Sequence, residues 1–371
     1  MTKAAVVLSE DLWQIGHGES HPLKPERLQR AYELLTAYNA FDSPESRLLP
    51  TRPATRKELL LFHTDEYVDA VESLSRGERR CVPSHYNFGP GDNPVFEGMY
   101  EVAALKVGAA LTAAELVTSG EVDVAFSPAG GMHHARANYA SGFCIFNDVA
   151  VIIHFLLAQG CRVAYVDIDV HHGDGVQEAF YDTDRVLTIS VHESGFFIFP
   201  GTGFVGETGR GIGQGFAVNL PLAPYTDDEV YVWAFEQIVP PLLRWFGADL
   251  VVSQLGVDTH FLDPLGHLSL TTEGYTQVIS MIRELAPRWV ALGGGGYEIS
   301  VMPRAWTLAY GIMSGQVFPD RLPAAYAEKY GQASLHDHQL PGVEAASKDI
   351  ARRHAAKAIA ELQEKIPGLR S

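Results

Sequence analysis

Five short apolar runs recur along the chain: "EVDVAFSP", "CRVAYVDIDV", "RVLTISVH", "ADLVVSQLGVD" and "RWVALGGGGY". They are rich in Val, Ile and Leu and lack a clean alternation with polar residues. A strand with one face in water alternates, whereas one covered on both faces reads as a continuous apolar run, as in a parallel sheet between helices. Helical stretches lie between the runs, at Asn147–Gln159, Asp227–Trp245 and Thr272–Leu285, the last with Thr271 or Thr272 placed to cap it. The opening "MTKAAVVLSEDLWQ" reads as a first strand, and "AASKDIARRHAAKAIAELQEKI" as an amphipathic helix packed on the core. This alternation predicts one α/β domain with a mostly parallel sheet.

In open α/β sheets, ligands bind beyond the carboxyl ends of the strands. Those are the places where polar residues gather here: "DIDVHHGDG", "SVHESG", "GVDTH", "GGGGY" and "PAGGMHHA" each follow an apolar run. If the strand continues through "DIDVH", Asp167, Asp169 and His171 share one face. Buried carboxylates are costly unless paired or bound to a cation. Asp with His suits a borderline ion such as zinc, whose catalytic sites use three protein ligands and keep one position open. Asp258 is the best candidate for the third ligand, against the competing reading that it caps a turn. A binuclear site would need further ligands where the chain has Gly173 and His260, so one metal is expected.

"GGMHHARA" supplies His133 and His134, and Asp167 and Asp174 are carboxylates left over to pair with them. A His–Asp pair fixes the ring tautomer and raises its basicity, so two such pairs beside a metal could move protons during hydrolysis. Tyr297, presented by "LGGGGY", could stabilise an oxyanion. Phe143 and Phe199 read singly as core residues and together as walls of a narrow slot.

Composition narrows the classes. Cys81, Cys144 and Cys161 form no CxxC pair, which argues against a thiolate zinc site or a disulfide framework and for a reducing cytoplasm. The formal charge of −17 argues against a nucleic-acid partner and would favour basic substrates, although many soluble enzymes are simply acidic. No apolar run approaches the ~18 to 20 residues that span a membrane.

With these residues assembled, the chain resembles the histone deacetylase and acetoin-utilisation superfamily of zinc-dependent deacylases with an arginase-like fold. Six ordered motifs carry the resemblance: "HPLKPERL", "GGMHHARANYASGFCIFND", "YVDIDVHHGDGVQEAFY", "FPGTG", "QLGVDTHFLDPLG" and "LGGGGY". It implies an open sheet of about eight strands with helices on both faces, a deacetylase core over about 12–315 and a helical extension over about 316–371. It implies Asp169, His171 and Asp258 as ligands of one zinc, with ferrous iron as the other metal to consider. His134 with Asp174 would be the general base and acid, His133 with Asp167 an electrostatic partner, and Tyr297 the group that polarises the acyl oxygen. Gly142, Phe143 and Phe199 would line the acyl tunnel, Asp92 would hold the substrate backbone, and Arg27 would lie by an internal acetate channel. Structural potassium is implied near Asp167, Asp169, His171, Ser190 and Val191. A second potassium site is implied near Phe180, Thr183 and Val186, where Phe216 replaces a Tyr common in relatives.

The substrate implied is an acetyl group, or a longer acyl group, on a lysine side chain of a protein or peptide. Leu265, after "LDP", is apolar where acetylpolyamine deacetylases tend to carry an acidic gatekeeper. Acetylpolyamine hydrolysis is the alternative, and a non-catalytic acyl-lysine binder is a third reading. Oligomeric state stays open.

Overall fold

The computed structural model describes residues 2–18, 20–78 and 80–370. Eight strands make one sheet: β1 (Ala4–Val7), β2 (Ser46–Leu49), β3 (Val124–Ser127), β4 (Val163–Asp167), β5 (Val186–Glu193), β6 (Ala217–Leu222), β7 (Leu250–Gln254) and β8 (Trp289–Leu292). Their order is β2-β1-β3-β8-β7-β4-β5-β6, and every pairing is parallel. The helices are α1 (Glu26–Ala37), α2 (Arg56–Leu59), α3 (Asp65–Ser75), α4 (Met99–Thr118), α5 (Asp148–Ala158) and α6 (Asp174–Ala179). They continue with α7 (Asp228–Phe246), α8 (Thr272–Leu285), α9 (Met302–Ser314), α10 (Ala324–Tyr330) and α11 (Ala345–Lys365).

The continuous apolar runs are explained by two cores, one on each side of the sheet. Along β4, Ala164 and Val166 join one cluster while Val163 and Tyr165 join the other, as a period of two requires. The first cluster is closed by Leu28 of α1, Phe235 of α7, Ile279 of α8, Trp306 of α9 and Leu362 of α11. Val68 of α3, Leu111 of α4 and Ile152 of α5 close the second.

The three helices expected between strands appear as α5, α7 and α8. Their N-caps are Asn147, Asp227 and Thr271, whose side chains accept from the amides of Ala150, Val230 and Glu273. The C-terminal helix is also present, and its Ala351, Ala355, Ala358, Ile359 and Leu362 are buried in the first core. Two strands escaped the sequence reading, β2 and β6, which form the two edges of the sheet. Only an edge tolerates a residue like Pro221 of β6, which has no amide to donate. The run "DIDVH" is the other difference. Strand β4 ends at Asp167, so Asp169 and His171 stand on the loop that leaves it, not on one strand face.

Candidate active site

Four strands that are neighbours in the sheet, β3, β8, β7 and β4, reach one place with their carboxyl ends. The loop after β3 brings His133 and His134, that after β4 brings Asp169 and His171 and leads into Asp174 at the start of α6, that after β7 brings Asp258, and that after β8 brings Tyr297. Residues far apart in sequence therefore meet because of strand order.

Asp169, His171 and Asp258 are buried, and one ligand atom of each lies within 4.8 Å of the others. His171 Nδ1 lies 3.0 Å from Asp169 Oδ1 and 3.2 Å from Asp258 Oδ2. The outward oxygens are already occupied: Asp169 Oδ2 accepts from Gln254 Nε2 at 2.5 Å and Gly295 N at 2.7 Å, and Asp258 Oδ1 accepts from Val170 N at 2.8 Å. Burial, then the Asp169 charge, pushes the Asp258 carboxyl well above the usual range. A cation at the centre would relieve both costs. A Cβ on Gly295 would come 1.9 Å from Asp258 Oδ2, so the glycine turn after β8 is what lets the backbone close on the carboxylates. Two carboxylate oxygens, each held from behind, and an imidazole nitrogen can hold a metal ion. Among the described residues, no other group of His, Cys, Asp and Glu has this geometry.

His133 Nδ1 lies 2.8 Å from Asp167 Oδ2, and His134 Nδ1 lies 2.7 Å from Asp174 Oδ1. Both carboxylates are themselves fixed. Tyr165 Oη donates to Asp167 Oδ2 at 2.6 Å, and Arg136 Nη2 donates to Asp174 Oδ2 at 2.6 Å. The loop is pinned by Asp148, which accepts from the amides of Gly131 and Met132, and by Asn147, which donates to the carbonyls of His133 and Ala135. The two Nε2 atoms are 3.0 Å apart, so one must donate and the other accept. For His133, burial pulls the pKa down, but the charges of Asp167 and Asp169 outweigh it and lift it to about 9. Burial and the neighbouring His133 lower His134 to about 4, against the pull of Asp174. The pair therefore carries one shared proton at neutral pH, held on His133.

Aromatic rings frame these groups. Phe199 stands edge-on to His134 with centroids 5.0 Å apart, and Phe143 does the same to Tyr297 at 5.8 Å. Gly142 has φ +50°, and a Cβ there would meet His134 Cδ2 at 2.4 Å and Phe199 Cε1 at 2.9 Å. Phe143 holds φ +69°, anchored by its amide to Asn93 Oδ1 at 3.1 Å. Asp263 accepts from Tyr297 N at 2.7 Å and from Leu265 N at 3.0 Å, which ties the phenol's loop to the "LDPLG" turn. Burial, then the nearby Asp258 and Asp169 charges, holds the Tyr297 phenol well above its ordinary pKa. Asp92 is exposed, and its carbonyl lies 3.2 Å from His21 Nε2. Arg27 is buried, donates to Gly296 O at 3.2 Å and stacks over Trp306.

The family model for the histone deacetylase domain matches residues 21–313. The chain belongs to the histone deacetylase family. It is 42% identical over 305 residues to the acetoin utilization protein AcuC of Bacillus subtilis (strain 168), covering 80% of this chain and 78% of that protein. With the histone deacetylase clr6 of Schizosaccharomyces pombe it shares 37% identity over 332 residues, covering 89% of this chain and 81% of that one. The crystal structure of a histone deacetylase homolog from Aquifex aeolicus superposes with a TM-score of 0.86 at 35% identity, over 96% of this chain and 100% of that chain. A homolog complexed with SAHA superposes equally well, with a TM-score of 0.86 at 34% identity, over 97% of this chain and 100% of that chain.

This histone deacetylase-family hydrolase also has site residues that sequence reasoning passed over. Arg136 and Gln254 hold Asp174 and Asp169; each lies in a quoted motif, but its contact exists only in three dimensions. His172, adjacent to His171, faces the other way, with Nδ1 2.8 Å from Thr202 Oγ1 and Nε2 3.1 Å from Gln177 Oε1. It ties α6 to the loop that carries Phe199. His260, whose position counted against a second metal, places Nε2 2.8 Å from Asp337 Oδ2. Among the residues expected around potassium, Asp167 and Ser190 face each other across β4 and β5, with Val191 next to Ser190. Phe180 and Thr183 lie on the connection from α6 to β5, and Val186 is the first residue of β5.

Proposed function

We propose that this protein is a zinc-dependent hydrolase that removes an acetyl group from the ε-amine of lysine in a protein or peptide. The observation that carries the reading is the convergence of the Asp169, His171 and Asp258 donors beside the paired His133 and His134 rings. A zinc ion held by those three donors would supply Lewis acidity toward water and an amide carbonyl. His134 is the ring left neutral at pH 7, so it is the one able to take a proton from the attacking water and return it to the leaving amine. Asp174, braced by Arg136, keeps His134 Nδ1 protonated, so Nε2 is its basic nitrogen, free to take the water's proton once it releases the hydrogen bond from His133 Nε2. His133 stays charged beside Asp167 and stabilises negative charge as it develops. Tyr297 keeps its proton and can donate it in a hydrogen bond to the acyl oxygen.

Phe143 and Phe199, with Gly142 between them and the rings behind, would wall a slot for an uncharged alkyl stem. Asp92 at the exposed rim would accept from the substrate backbone, and Leu265 adds an apolar side chain where a cationic polyamine would need a carboxylate. A structural potassium ion beside Asp167, Asp169, His171, Ser190 and Val191 belongs to the same proposal, as does one near Phe180, Thr183 and Val186. Zinc-loaded protein should hydrolyse an acetyl-lysine peptide in preference to acetylspermidine. Preference for acetylspermidine would replace the substrate, and no metal-dependent turnover of either would refute the reading.

A further inference from the structure

His260 and Asp337 form a contact that joins the catalytic domain to chain beyond it. Asp337 lies after residue 313, where the match to the family model ends, in the segment that precedes α11. Its side chain is only 8% exposed and its carboxylate takes three partners. Oδ2 accepts from Thr272 N at 2.8 Å and faces His260 Nε2 at 2.8 Å, and Oδ1 accepts from Arg304 Nη2 at 2.9 Å. Its own amide donates to Thr272 Oγ1 at 2.9 Å. His260 Nδ1 accepts from Leu262 N at 3.2 Å, so the ring proton sits on Nε2 and is donated to Asp337.

Two of the three partners, His260 and Arg304, lead to residues of the site. His260 is two residues past Asp258, and its carbonyl accepts from the amide of Asp263, whose carboxylate holds Tyr297 N. Arg304 Nε donates to Ser300 O at 2.9 Å, three residues past Tyr297, and its Nη1 donates to Leu335 O at 3.0 Å. One buried carboxylate thus spans the loop after β7, which carries Asp258, and the loop after β8, which carries Tyr297. We propose that Asp337 is a positioning residue that sets Asp258 and Tyr297 relative to one another through His260 and Arg304. The proposal rests on the metal and phenol roles given above. An amide at this position would present N–H groups to a set of donors, and no arrangement of Asn satisfies all three.

The test compares Asp337→Asn with Asp320→Asn. Asp320 holds the same segment from its exposed side, through His336 N and His338 Nε2, and touches neither loop. Zinc affinity is measured by chelator competition, and kcat and KM on an acetyl-lysine peptide are measured per zinc-loaded site. Asp337→Asn should weaken zinc binding and lower kcat by about tenfold or more, the scale of losses behind a ligand, with KM little changed. Asp320→Asn should leave zinc affinity, kcat and KM as in the parent. Equal effects from the two variants, or parental zinc affinity and kcat in Asp337→Asn, would overturn the proposal. If Asp337→Asn does not fold, His260→Asn, whose Oδ1 can still accept from Leu262 N but whose side chain is too short to donate to Asp337, should show the same losses, and parental values there would overturn it. A parent that binds zinc but does not cleave the peptide would defeat the substrate reading, while the zinc-affinity comparison would still judge the role of Asp337.

Discussion

His133 and His134 are adjacent in sequence, yet their rings hold protons at opposite ends of the pH range, about 9 and about 4. A ring that must be neutral to accept a proton fails as pH falls through its pKa, and one that must stay charged fails as pH rises through its own. The pair should therefore give a bell-shaped kcat/KM profile, losing activity below about pH 4 and above about pH 9. Asp167 is the largest charge raising His133, so Asp167→Asn should move the alkaline limb toward acid; an unmoved limb would assign that limb to another group. Tyr297→Phe should keep the fold and KM but lower kcat by ~10²-fold or more, as loss of an oxyanion donor does. Turnover near the parental rate would mean that the acyl oxygen is held otherwise. The two carboxylates that orient these rings could be named from sequence because a buried Asp demands a partner. Their braces, Tyr165 and Arg136, could not, since neither spacing nor charge says which carboxylate a side chain will reach.

At the level of elements, the turn after β8 and the helix α11 make different kinds of contribution. The turn works by what it lacks. Gly295→Ala would drive a Cβ toward Asp258 Oδ2, so the protein should lose metal while remaining folded, as read by bound zinc and circular dichroism. Full zinc occupancy in that variant would contradict the cradle described for the carboxylates. α11 contributes packing, with Leu362 fully buried in the core against the sheet. Leu362→Ala should cost about 2–5 kcal/mol of stability in denaturant unfolding, with kcat per folded molecule unchanged. The central strands were legible because short apolar runs rich in Val and Ile, too short for a buried helix, fit a strand covered on both faces. β2 and β6 were not, because edge strands bury less, and Pro221 argues against a strand until its edge position is known. The share of one face by Asp167, Asp169 and His171 failed for a related reason: the strand ends where its last paired residue ends, at Asp167.

Over the whole molecule, strand order decides function. β3, β8, β7 and β4 are neighbours although the chain makes them third, eighth, seventh and fourth, and this order turns four distant loops into one site. Among the described residues no helix is long and apolar enough to cross a membrane. Six motifs in order were enough to read the family, whereas the latch at Asp337 lies outside every motif and became visible only in the packed structure. The central claim is that one metal ion, held by Asp169, His171 and Asp258, enables hydrolysis. Protein stripped with a chelator should be titrated with zinc while turnover of an acetyl-lysine peptide is followed. The account predicts no turnover in the stripped protein, a linear rise and saturation at one zinc per chain, with neither binding nor rise in Asp258→Ala. Turnover without metal, saturation at two equivalents, or stoichiometric zinc in Asp258→Ala would contradict it.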